Sequence, residues 1–232
     1  MTARVNFTIT PGIDQRMNSW QKKSKEHKPE TAPCITISRE FGCEAYPVAE
    51  KLQQKLSNST GSEWLVLDAK LLDKIAEESG YSVADIQHAG DTNPIFHSMM
   101  SLFMGKQRPE QFEIFSYIKK AIRHFAKAGN CIIIGRGGVN ITQNLSNCVH
   151  FRLVAPFEFR VKKLASIQDI DENEARQIIQ ERQNQRDDFI NRFTGSSASD
   201  SSLYHLVINN GKYTPDQIAE IIEWTVSQTL GK

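Results

Sequence analysis

Several signatures are absent from this chain, and each absence narrows what it can be. No apolar run is long enough to cross a membrane as a helix, and the polar opening MTARVNFTITPGIDQ is not a charged-then-apolar leader, so secretion is not expected. Charge of one sign is lacking as well: 28 Lys and Arg against 27 Asp and Glu. That balance leaves no global positive field of the kind a nucleic-acid or membrane binder carries, and any anion site must be local. Cysteines are few, Cys34, Cys43, Cys131 and Cys148, with no CxxC spacing, and Cys34 and Cys131 sit inside apolar runs. Reduced thiols in a cytoplasmic protein fit that pattern. Nor do His97, His124, His150 and His205 fall into metal-ligand spacing, and they read as packing residues.

What is present suffices for a real core. The chain has 232 residues, 39% hydrophobic and 24% charged, enough for one globular unit. Residues 1–33 hold only scattered apolar groups and end in QKKSKEHKPETAP, which cannot bury enough surface to fold alone, so they read as a polar extension. The remaining residues, 34–232, form the expected domain.

Within it a strand-then-helix grammar repeats. CITIS (34–38) precedes a helix on which Val48, Leu52 and Leu56 recur four apart. WLVLD (64–68) precedes AKLLDKIAEESG, CIIIG (131–135) follows a helix near 110–128, and CVHFRLV (148–154) precedes a helix opened by Pro156. YHLVIN (204–209) leads to Thr214-Pro215-Asp216-Gln217, an N-cap, a first-turn proline and an N3 glutamine. The expected fold is α/β, a five-stranded, mostly parallel sheet with helices on both faces and ligands beyond the carboxyl ends of its strands. Residues 88–111 and the polar helix with its tail, 171–202, break the alternation and read as insertions over the sheet edge.

The loops after the strands carry the candidate chemistry. SREFGCEA (38–45) lies between a strand and a helix, where consecutive backbone N–H groups and the helix dipole favour an anion. The full G-x-x-x-x-G-K-[ST] motif is missing: Gly42 alone supplies backbone freedom, no lysine follows, and Tyr46-Pro47 stand where a metal-binding hydroxyl belongs. An ordinary strand-to-helix turn is the alternative reading of this loop. IIIGRGGVN (132–140) places Arg136 in a glycine-rich turn at the end of a buried strand. Its glycines are out of the dinucleotide register G-x-G-x-x-G, because the last position falls on Asn140.

Arginines cluster further on: Arg160 and Lys163 lie three apart on one helix, Arg182 and Arg186 four apart on the next, and Arg192 extends the set. Phosphoryl transfer needs positive groups of this kind around the migrating phosphoryl. Pairing with Glu174, Glu181, Asp187 and Asp188 on a solvated helix is the competing explanation. Asp68, at the end of the second strand, either meets a substrate hydroxyl or amine or caps the helix beginning at Ala69.

Taken in order, CITISREFG, WLVLDAKLLDKIAEESG, IIIGRGG, VHFRLVAPFEFRVKKL, ERQNQR and YHLVINNGKYTPDQIAEII resemble the cytidylate kinase-like family over residues 34–225. The resemblance implies a P-loop core, a nucleotide-monophosphate insertion at 88–111 and an arginine-bearing lid at 160–202. It implies ATP, with Mg²⁺ carried by the nucleotide, and phosphorylation of a nucleoside monophosphate, typically CMP or dCMP. By the same resemblance Ser38, Arg39, Gly42 and Cys43 belong to the phosphate loop, Asp68 and Arg136 face the acceptor, and Arg136, Arg160, Arg182 and Arg186 act on the phosphates. The chain departs from the family at Cys43-Glu44-Ala45-Tyr46-Pro47, where small residues and a charged one are usual. Glu44 in particular puts negative charge where a phosphate is expected. Two alternatives stay open: a catalytically inactive protein of this fold that binds a nucleotide or a protein partner, and a kinase of the same fold acting on another small molecule.

Overall fold

A computed structural model of the chain describes residues 32–68 and 109–230. Nearly all of the 1–33 extension, the helix expected after Asp68 and most of the 88–111 insertion lie outside the described residues. In chain order the described elements are β1 (Cys34–Arg39), α1 (Ala45–Thr60), β2 (Leu65–Leu67), α2 (Pro109–Ala128), β3 (Cys131–Ile134), α3 (Gly138–Thr142), β4 (Cys148–Val154), α4 (Phe157–Gln168), α5 (Glu172–Thr194), β5 (Leu206–Asn209) and α6 (Pro215–Leu230).

The five strands pair in the order β2-β3-β1-β4-β5, and every pairing is parallel. Parallel strands are covered on both faces, which is why β1, β3 and β4 read as unbroken apolar runs. One face carries Ile35, Ile37, Ile132, Val149, Phe151 and Leu153 against Val48, Leu52 and Leu56 of α1 and Ile218, Ile222 and Val226 of α6. Each such side chain contributes about 1.5–3 kcal/mol by leaving water. The other face packs Leu65, Leu67, Cys131 and Ile133 against Phe115, Ile118, Ile122 and Phe125 of α2.

Local signals set the element ends. Thr214 and Gln217 form the expected reciprocal cap of α6, with Thr214 N–H donating to Gln217 Oε1 at 2.9 Å and Gln217 N–H to Thr214 Oγ1 at 3.3 Å. Asp171 caps α5 by accepting from the N–H groups of Asn173 and Glu174. Helices α4 and α5 form a hairpin with a small core of its own, Val161, Leu164, Ala175 and Ile179, into which Phe41 is packed from the loop after β1.

At the amino end of the sheet Cys34 is in register with both Cys131 and Cys148. All three thiols are buried and unbridged. Hydrogen bonding among these thiols and burial push Cys34 and Cys148 well above the usual thiol range, which keeps both neutral.

Candidate functional site

The carboxyl ends of β1, β3 and β4 converge on two adjoining regions, the loop 40–44 leading into α1 and a cleft beside β3. In the loop the backbone N–H groups of Glu40, Phe41, Cys43 and Glu44, and that of Ala45 behind it, are engaged. Glu40 N–H donates to Leu153 O at 3.0 Å, Cys43 N–H to Glu40 O at 3.2 Å and Ala45 N–H to Cys43 O at 3.0 Å. Side chains take two more: Phe41 N–H donates to Gln183 Oε1 at 2.8 Å and Glu44 N–H to Asn210 Oδ1 at 2.7 Å.

Carboxylates of the loop itself meet the cations nearby. Glu40 accepts from Ala155 N–H at 3.0 Å and lies 3.6 Å from Arg160 Nε. Arg160 is 8% exposed and also donates to Ala155 O and Phe41 O, so it clamps the loop onto α4. One turn further along α4, Lys163 stands 2.8 Å from Glu44. The Arg160–Lys163 face read from the sequence therefore exists, and Glu40 and Glu44 neutralise it. Burial and the neighbouring Glu40 charge push the Cys43 thiol up to about 12, so it sits in the loop as a neutral group.

The cleft lies on the other side of β1. It encloses about 50 Å³, room for three or four water-sized groups and so for the oxygens of one phosphoryl group. Ser38, Arg39, Arg136, Asn140, Gln183, Arg186 and Asp187 supply its polar lining. The turn after β3 shapes it: Gly135, Arg136 and Gly137 all have positive φ, at 71°, 54° and 69°. For the non-glycine Arg136 this conformation is uncommon and costs of order 1 kcal/mol. A Cβ on Gly135 would come 1.9 Å from Arg39 Nη1, so any side chain there would have to displace the Arg39 guanidinium. The Arg39 guanidinium thus lies directly on the turn that carries Arg136. Asn140 Nδ2 is buried with no hydrogen-bond acceptor among the described residues.

Helix α5 belongs to both regions. Gln183 Nε2 donates to both oxygens of Asp187, at 3.0 and 3.1 Å, while Gln183 Oε1 holds the loop. The Arg186 guanidinium sits over the Phe41 ring, 4.8 Å from its centroid, a contact worth about 0.5–2 kcal/mol.

Beneath the cleft runs a buried polar layer. Thr36 Oγ1 and His150 Nδ1 share a hydrogen bond of 2.9 Å, His150 N–H donates to His205 Nδ1 at 3.0 Å, and Arg152 donates to Ser38 Oγ at 3.4 Å. Burial, with His205 beside it, lowers the His150 pKa to about 4.

The structure thus brings Ser38, Arg39, Arg136 and Arg186 together in one cleft. Gly42 and Cys43 lie in the loop with Arg160 against them. Asp68 follows the edge strand β2 and Arg182 lies on α5, and neither lines the cleft. The sequence alone assigns Gln183 and Asn140 no role and offers Asp187 only as an ion-pair partner on a solvated helix. Gln183 had one usable signal, its place three residues before Arg186 on the same helical face.

A model of the cytidylate kinase-like family matches residues 34–212. This chain belongs to that family. A cytidylate kinase from Sulfolobus acidocaldarius is 33% identical over 127 residues, 54% of this chain and 69% of the relative. One from Methanopyrus kandleri is 24% identical over 173 residues, 71% of this chain and 80% of the relative. A solved structure of an uncharacterised protein from Eubacterium ventriosum superposes with a TM-score of 0.60 at 18% identity, covering 84% of this chain and 98% of that one. Family and sheet topology together give this chain the P-loop kinase fold. Among the described residues, no helix is long and apolar enough to cross a membrane.

Proposed function

We propose that the chain is a nucleoside-monophosphate kinase that moves the γ-phosphoryl group of ATP to a pyrimidine monophosphate, CMP or dCMP, in the cytoplasm. The observation that carries this reading is the cleft itself, in which Arg39, Arg136 and Arg186 surround a space of phosphoryl size at the carboxyl ends of β1 and β3. Three arginines lining one small space favour an ester phosphate, and bidentate geometry makes arginine suited to it. An acceptor phosphate oxygen held there attacks the γ-phosphorus, the bond to the β–γ bridging oxygen breaks, and ADP leaves. In this reading Arg186, on α5, neutralises charge on the migrating group, and no covalent enzyme intermediate is needed. Asp68 and Arg182 join this reading as contacts made when 160–202 closes as a lid.

The triphosphate fits less simply. The loop lies at the N-terminus of α1, where a triphosphate is favoured, yet the N–H groups of Glu40, Phe41, Cys43 and Glu44 and the Arg160 and Lys163 cations already have protein partners. ATP·Mg²⁺ enters only if those bonds exchange. That observation favours a second reading, a catalytically inactive member of the family that binds a nucleotide or a protein partner.

ADP formation from Mg·ATP with CMP, dCMP and UMP separates the two, with Arg136→Ala as the control. The kinase reading expects acceptor-dependent turnover that falls about 10²–10³-fold in the variant. Absence of turnover together with absence of stabilisation by ATP would sink it and favour the second reading.

A further inference from the structure

We propose that Gln183 is a positioning residue that ties the acceptor cleft to the phosphate loop, so that a nucleoside monophosphate in the cleft loosens the loop and raises the affinity for ATP. The inference rests on the functional reading above and adds a coupling between its two sites.

The two regions are joined by one face of α5. Gln183, Arg186 and Asp187, three and four residues apart, project together and line the cleft. Two of them also hold the loop: Gln183 Oε1 accepts the Phe41 N–H at 2.8 Å, and the Arg186 guanidinium lies 4.8 Å from the Phe41 ring centroid. The third holds Gln183, because both Asp187 oxygens accept from Gln183 Nε2.

A phosphate monoester in the cleft acts on every part of this arrangement in one direction. Its negative charge attracts Arg186 and repels Asp187, the group that fixes the Gln183 amide. Once Arg186 turns to the phosphate it leaves the Phe41 ring, and once Asp187 moves, the Gln183 amide loses its anchor. Phe41 N–H is then released at the N-terminus of α1, where backbone donors suit a triphosphate. An empty cleft keeps the donor site closed, which limits hydrolysis of ATP without an acceptor. Binding linkage is reciprocal, so CMP must raise the affinity for ATP by the same factor as ATP raises that for CMP.

Calorimetric titration of the full chain with the Mg²⁺ complex of a nonhydrolysable imido analogue of ATP, with and without saturating CMP, reads this factor. The expected result is an affinity about tenfold or more higher with CMP present. Gln183→Leu removes the acceptor for Phe41 N–H, so the analogue binds it more tightly than wild type without CMP, and CMP adds little. Asp187→Asn keeps an acceptor for Gln183 but removes the charge, so CMP binds more tightly while its effect on the analogue shrinks; it also serves if Gln183→Leu melts early. Equal analogue affinity with and without CMP, in protein shown to bind CMP, overturns the inference and leaves the functional reading standing. Coupling that survives both substitutions overturns the role of Gln183. A protein that binds no CMP at all overturns the functional reading itself.

Discussion

Gly42 and Arg160 approach so closely that a Cβ added to Gly42 would stand 2.9 Å from the Arg160 Cβ. The loop and α4 therefore touch at backbone distance, and the contact depends on glycine twice, because Gly42 also has φ of 92°. Gly42→Ala is expected to lower stability by about 1–3 kcal/mol, read as a shift in the urea unfolding midpoint. An unchanged midpoint would mean that the loop stands off α4 in solution.

The sheet was legible because its strands are buried on both faces and so appear as short apolar runs between turn signals; β4 was read to the residue as Cys148–Val154. The α6 cap was legible because its partners are three residues apart. Occupancy of the loop was not legible. Glu40 meets Arg160 across 120 positions of sequence, and Phe41 meets Gln183 across 142. Nothing local distinguishes a glutamine that holds a loop from one on a solvated helix. The cleft lay between: Arg136 stood out in its glycine-rich turn, whereas Asn140 was noticed only for breaking a glycine register.

Glu44 puts a carboxylate at the entrance to α1, 2.8 Å from Lys163. Glu44→Gln removes that charge while keeping the backbone N–H that donates to Asn210. In a partly buried setting, a repulsion of about 1–2 kcal/mol on a triphosphate disappears, and Lys163 becomes available to it. Affinity for Mg·ATP is expected to rise about tenfold by calorimetry, and a decrease would show that the Glu44–Lys163 pair supports the loop instead of blocking it.

Asn140 Nδ2 is buried at the cleft with no acceptor among the described residues. An unsatisfied buried donor costs about 1–3 kcal/mol, a cost that a ligand oxygen relieves on binding. Asn140→Ala is therefore expected to leave thermal stability equal or slightly higher while raising KM for CMP several-fold. Loss of stability with an unchanged KM would assign Asn140 to packing.

His150 supplies a pH dependence whose sign can be worked out. Its ring, carried by β4, is buried and hydrogen-bonded to Thr36 of β1, and its pKa is lowered from 6.5 to about 4, mainly by burial and then by His205. Between those values the unfolded chain binds a proton that the folded chain does not, so stability falls as pH drops through this window and is complete above it. Each pH unit below the unfolded value removes about 1.4 kcal/mol, and the full depression is worth about 3 kcal/mol. Urea unfolding at about pH 7.5 and about pH 5.5 should show the wild-type protein weaker at the lower value by about 1.4 kcal/mol from this group. His150→Gln retains a polar partner for Thr36 but cannot titrate, so the difference should shrink. It should not vanish, because burial also lowers the pKa of His205, and that residue pulls in the same direction. An equal pH dependence in the variant would place the titration elsewhere, and a protein more stable at the lower pH would contradict a neutral His150 under the cleft.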